Sequence, residues 1–202
     1  MSDRFQLVLV RHGLTDWNVE RRLLGRIDIG LNESGRAQAK AAAEALKEFS
    51  VRAILSSPQV RARETAAPIA SAHGLEVEIE PAFDEVWLSE VWQGKTVEEL
   101  RGDEEMERFL SDPFRRSPQI EPIEEVQSRA VEGVERLRRE RPGETVVVVS
   151  HGDPLRAIAA NYLGLALADF RRLLIDNGSV SLVRFHSRGP QVASLNWRPS
   201  LR

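Results

Sequence analysis

The chain has 202 residues, enough for one domain with a sizeable core. Its 28 Lys and Arg stand against 31 Asp and Glu, a net charge of -3 without a long basic run, which argues against nucleic acid as the main partner. There is no cysteine, no apolar run of the roughly 18 residues that cross a bilayer, and no charged-then-apolar leader. The expectation is a cytoplasmic protein with no membrane partner, no thiol nucleophile and no thiolate metal site.

An apolar strand at 5–10 ends abruptly in Arg11, His12 and Gly13 and gives way to a polar loop over 11–32. An Ala-rich segment then predicts a helix over about 34–48. A short strand at Val51–Ser56 follows, then a helix from Gln59 to about His73, where His73 caps the helix before Gly74, and an alternating strand at 75–80. Strand, helix, strand predicts an α/β fold with parallel pairing. Residues 81–122 break the rhythm: Pro81, Pro113, Pro118 and Pro122 surround a short helical stretch at 97–110, and Trp87 and Trp92 stand beside Glu85 and Glu90. This reads as a lid-like insertion in a single domain spanning 1–202. Val126, Ala130, Val134 and Leu137 recur at helical spacing over about 123–140. The Val-rich strand 145–150 ends in Ser150, His151 and Gly152, Pro154 opens a helix to about Leu163, and strands at 179–185 and 191–197 complete the chain.

In an open α/β sheet, ligands gather at the carboxyl ends of the parallel strands, so topology brings Arg11, His12, Arg61 and His151 together. Arginine is always charged and presents a planar fork of donors to phosphate, so Arg11 and Arg61 can bind a phosphoryl group with no metal ion. A neutral imidazole is a competent nucleophile toward phosphorus. Only one histidine can fill that role; the other can donate a hydrogen bond to the transferring group, and the leaving alkoxide needs a proton from an acid outside the cluster. His73 and His186 lack metal-ligand company and are assigned to structure. Trp87, Trp92, Phe109 and Phe114 are read first as packing, and the charged run ending in Pro142-Gly143 as a solvated helix end.

The ordered set VRHGLTDWN (10–18), GRIDIGLNESGRAQA (25–39), SSPQVRARETA (56–66), FDEVWLSEVWQG (83–94) and VVVSHGDPLRA (147–157) resembles the histidine phosphatase superfamily over nearly the whole chain. The resemblance implies a phosphoglycerate mutase-like fold, a three-layer sandwich with a mostly parallel central sheet flanked by helices. It implies His12 as the phosphorylated nucleophile and a pocket of Arg11, Arg61 and His151, with Arg61 preferred over Arg63 by register. Asn18 would contact phosphate, as would Gly25 and Gly152 of the matched segments. Glu85 would be the proton donor, with Asp84 and Glu90 as substitutes. Leu14 and Leu24 depart from the polar residues of many relatives, and 83–94 carries one extra residue with Gln93 in place of an acid.

The expected activity is a metal-independent phosphomonoesterase, using no cofactor, that hydrolyses small phosphorylated metabolites through phosphohistidine. Cofactor-dependent phosphoglycerate mutase is the alternative within enzymes, disfavoured because those mutases are typically longer, with extra segments that shield the phosphoenzyme. A non-catalytic phospho-ligand-binding relative is the alternative outside enzymes, and a metal-dependent hydrolase ranks below it. Leu24, Trp87, Leu88 and Trp92 suggest a partly apolar mouth. Homo-oligomerisation is left open.

Overall fold

The computed structural model describes residues 5–112, 114 and 116–200; Pro113, one of the prolines that interrupt the strand–helix alternation, lies outside the described residues. Six strands, β1 (Gln6–Arg11), β2 (Val51–Ser56), β3 (Val77–Ile79), β4 (Thr145–Ser150), β5 (Val180–His186) and β6 (Gly189–Trp197), form one sheet in the order β3-β2-β4-β1-β5-β6. The first four run parallel, and β5 and β6 are antiparallel additions at one edge.

The side-chain alternation of the strands decides the layering. Leu7 and Leu9 of β1, Val146 and Val148 of β4, and Ala53 and Leu55 of β2 share one face. They pack on Ala130, Val134 and Leu137 of α5 (Ile123–Glu140) and on Leu155 and Ile158 of α6 (Gly152–Leu163). Val8, Val10, Val147, Val149 and Ile54 point the other way, onto Ala42, Ala43 and Leu46 of α2 (Glu33–Leu46) and Ala62, Ala66 and Ile69 of α3 (Val60–His73). Both faces of β1 and β4 are therefore buried, and their near-continuous valine and leucine reflect that. The result is the expected three-layer α/β sandwich.

Several local expectations are corrected. The polar loop after β1 contains a one-turn helix, α1 (Asp16–Val19), held by a reciprocal capping box between Thr15 and Asn18. The helix expected over 97–110 forms only as α4 (Glu104–Ser111). Gly102 sits at φ +85°, and the Asp103 side chain caps the helix by accepting from the Met106 N–H. His73 does not cap α3; Gly74 closes it in the left-handed conformation, its N–H donating to the Ala70 and Ser71 carbonyls. α6 starts at Gly152, two residues before Pro154, because proline in the first turn loses only an N–H that would be unpaired anyway. Residues 81–122 build a small core of their own: Val86, Leu88, Trp92, Leu100, Met106 and Ile120 pack against Ile123 and Val126 of α5 and Ala160 of α6. No described helix is long and apolar enough to cross a membrane.

Candidate active site

β1 and β4 pair in register from Gln6 opposite Thr145 to Arg11 opposite Ser150. The chain therefore leaves both strands at the same level, and the two His-Gly turns emerge side by side. The His12 N–H donates to the Ser150 carbonyl at 2.9 Å, and the two imidazole rings lie 5.0 Å apart. Both histidines are buried. His12 Nδ1 lies 2.7 Å from the Gly13 carbonyl, which can only accept, so Nδ1 carries the proton and Nε2 holds a free lone pair. Burial lowers the His12 pKa well below the usual imidazole value, and the Arg61 and Arg11 charges lower it further. The ring is neutral at pH 7.

Gly13 has a packing reason. A Cβ there would stand 2.4 Å from the Gly35 carbonyl oxygen, and one on Gly35 would stand 2.0 Å from the Leu14 oxygen. The two glycines let the loop after β1 lie directly on the first turn of α2.

Arg61 is fully buried at the start of α3, whereas Arg63 is exposed. Its Nε–H donates to His151 Nδ1 at 3.2 Å, and its two terminal nitrogens donate to the Ile27 and Gly25 carbonyls at 2.7 Å each. Gly25, at φ +52°, thus faces Arg61 with its carbonyl. Because His151 Nδ1 accepts from Arg61, the proton of the neutral ring is on Nε2, which donates to Ser57 Oγ at 2.7 Å. A donor role for His151 toward phosphate therefore requires Nδ1 to take up a proton, and Glu85 Oε2 stands 4.0 Å from that nitrogen. Burial lowers the His151 pKa, with the Arg61 charge the next cause.

Arg11 donates to the Ile175 carbonyl at 2.6 Å, and its Nε is buried without a partner among the described residues. Burial lowers the pKa of both Arg11 and Arg61 while the nearby Glu85 carboxyl opposes it, and a guanidinium stays charged through such shifts. Among the described residues neither has a carboxylate within ion-pair distance.

Glu85 lines the cavity, while Asp84 turns toward Ser57 and Arg26 and Glu90 is exposed. Burial pushes the Glu85 carboxyl up to about 7, the Asp153 charge pushes the same way, and the Arg61 and Arg11 charges only partly offset both. Its loop is fixed from α5: Arg129 donates to the carbonyls of Ala82, Asp84 and Glu85, and Glu121 ties Arg129 to Arg26.

The cavity at these strand ends has a volume of about 190 Å³. It is lined by Arg11, His12, Asn18, Gly25, Glu85 and Gly152, by the apolar Leu23, Leu24, Val86 and Leu88, and by a partly exposed polar rim of Arg22, Asp153 and Arg156. Arg61 and His151 lie behind these residues rather than on the cavity surface. The apolar mouth is real at Leu24 and Leu88, but Trp92 is buried beneath it and Trp87 is exposed outside it. Asn18 Oδ1 accepts from the Thr15 N–H and hydroxyl and from Asn177, which leaves its amide N–H groups to the cavity.

Sequence reasoning missed Asn177, Arg129, Asp153 and the Ser57 bridge. Asn177 Nδ2 also donates to the His12 carbonyl at 3.1 Å. Its signal was the Asp-Asn-Gly turn before a strand antiparallel to β1, whose start must fall at the end where β1 finishes.

The family description "Histidine phosphatase superfamily (branch 1)" matches residues 7–198. Phosphoserine phosphatase 1 of Hydrogenobacter thermophilus is 35% identical over 95% of this chain and 92% of its own length. A probable phosphoglycerate mutase of Photorhabdus laumondii is 34% identical over 94% of this chain and 88% of its own. Among solved structures, a mycobacterial glucosyl-3-phosphoglycerate phosphatase in complex with VO3 superposes with a TM-score of 0.86 at 30% identity, covering 95% of this chain and 99% of that one.

Proposed function

Since the chain belongs to the histidine phosphatase superfamily and is an enzyme of its phosphatase class, we propose that it is a metal-independent phosphomonoesterase that hydrolyses small phosphorylated metabolites through a phosphohistidine at His12. The observation that carries this reading is the His12 tautomer: Nδ1 is committed to the Gly13 carbonyl, so the Nε2 lone pair stands beside two arginines that, among the described residues, have no carboxylate within ion-pair distance. In the first step Nε2 forms the N–P bond as the ester P–O bond breaks. Arg11 and Arg61 balance the equatorial charge, helped by Asn18 and the N–H groups at the start of α6. Glu85, protonated near neutral pH, gives its proton to the leaving alkoxide. In the second step the Glu85 carboxylate takes a proton from water, whose oxygen attacks phosphorus, and phosphate leaves His12.

The test uses phenyl phosphate, phosphoserine and glycerol 3-phosphate with EDTA present. The reading expects phosphate release from at least one of them and acid-labile ³²P on the wild-type chain after a rapid quench, with both lost in His12→Ala. Release retained by His12→Ala would remove His12 as the nucleophile. The names of the mutase relatives support a second reading, interconversion of 2- and 3-phosphoglycerate. Isomerisation without phosphate release would select it.

A further inference from the structure

The phosphate end of the cavity and its alcohol end differ in charge balance. Among the described residues, Arg11 on the cavity surface and Arg61 behind it donate only to neutral groups: the carbonyls of Ile175, Ile27 and Gly25 and the His151 imidazole. Their two positive charges match a phosphate dianion. The other two described guanidiniums that line the cavity, Arg156 and Arg22, are each matched by a carboxylate. Arg156 Nη1 donates to Asp153 Oδ1 at 2.8 Å, and its Nε to the Leu173 carbonyl at 3.0 Å. Arg22 is held between Glu20 at 2.6 Å and Glu99 at 3.2 Å, with a further bond to the Gly94 carbonyl at 2.7 Å. The apolar part of the lining is Leu23, Leu24, Val86 and Leu88.

We infer that the alcohol half of the substrate carries no net negative charge, being a neutral or zwitterionic alcohol, and that Asp153 is the residue that selects against anionic ones. This rests on the phosphatase reading above. Among the described residues that line the cavity, a carboxylate on the alcohol would find no cation other than Arg11 without a carboxylate partner. It would also have to displace the Asp153 carboxylate, which lines the cavity from the first turn of α6, from its ion pair with Arg156 and would then stand beside that carboxylate. Like charges brought together out of bulk water are costly. An alcohol with hydroxyls meets only the polar rim and the leucine wall, and an ammonium beside a carboxylate, as in an amino acid, sets its positive charge against Asp153. The same accounting disfavours the mutase reading, whose substrates carry a carboxylate and whose cofactor carries a second phosphate.

The experiment compares kcat/KM for three esters of similar size: sn-glycerol 3-phosphate, O-phosphoserine and 3-phosphoglycerate, with phenyl phosphate as reference. The wild type is expected to prefer glycerol 3-phosphate and phosphoserine over 3-phosphoglycerate by at least about tenfold. Asp153→Asn removes the like charge and releases Arg156, and is expected to shrink that ratio by roughly tenfold, chiefly through KM for 3-phosphoglycerate. Equal or better turnover of 3-phosphoglycerate by the wild type would overturn the inference without needing any variant, while phenyl phosphate turnover kept the phosphatase reading intact. An unchanged ratio in a folded Asp153→Asn protein would remove Asp153 as the selector. Failure to release phosphate from all four esters would instead overturn the phosphatase reading, and this inference with it.

Discussion

Glu85 holds a proton into the neutral range because burial and the Asp153 charge outweigh the pull of Arg61 and Arg11. For hydrolysis of alkyl esters this predicts a fall in kcat/KM as pH rises through about 7, a limb that Glu85→Gln should lack. The substitution should slow alkyl esters by roughly 10²–10⁴-fold and nitrophenyl phosphate much less, since nitrophenolate leaves with little protonation. Equal losses on both would place the acid elsewhere. The same shift has a stability consequence of definite sign. In the unfolded chain the carboxyl loses its proton from about pH 4.5, while the folded chain keeps it to about 7, so the unfolded state binds fewer protons in that window and stability falls as pH rises through it. At 1.36 kcal/mol per unit, the ionised carboxyl costs on the order of 3 kcal/mol above pH 7. Glu85→Gln should therefore raise Tm more at pH 8 than at pH 4.5. A uniform rise would show that ionisation is not the source of the cost.

The elements place these residues through register, and register was only partly legible. Two Val-rich strands, each ending in a His-Gly step, announced a shared strand end before any pairing was known. What they could not announce was that Arg11 would fall opposite Ser150, because a parallel partner 139 residues away leaves no local mark. Arg61 could be placed on a helix near the site, but its choice over Arg63 needed the helix phase that buries one and exposes the other. Arg129 was not singled out at all, since its role depends on carbonyls of a loop remote in sequence. The glycine contact between the loop after β1 and α2 gives a direct test. Gly35→Ala puts a Cβ 2.0 Å from the Leu14 oxygen and must push α2 away from the His12 loop, costing roughly 2–4 kcal/mol in chemical denaturation and lowering kcat. Gly74→Ala at φ +64° meets nothing within 4 Å and should cost only about 1 kcal/mol, with kcat unchanged. If the two variants behave alike, close approach at Gly35 is not what its glycine serves.

On the scale of the whole molecule, the sheet core and the small core of residues 81–122 meet along α5 and α6. The second core carries Val86 and Leu88, so the cavity wall is only as firm as that cluster. Trp92 is its largest buried side chain and packs at 6.0 Å from Phe109. Trp92→Ala should cost roughly 3–5 kcal/mol and, by loosening the wall around Glu85, raise KM and expose residues 87–112 to limited proteolysis. An unchanged proteolytic pattern would mean the segment is held by Arg129 and Glu121 alone.

The placement of β1 has a consequence for how the chain is made. Its neighbours in the sheet are β4 and β5, which begin at Thr145 and Val180. During synthesis the first strand of the sheet, apolar on both faces, waits for well over a hundred residues before either partner leaves the ribosome. A nascent chain stalled before residue 145 therefore has both helices of one layer and α5 of the other but no central strand pair, and its Leu-Val-Leu-Val run is free to associate with other chains. Chaperone occupancy on translating ribosomes should persist until β4 has emerged, and the cavity at the strand ends can exist only after that moment.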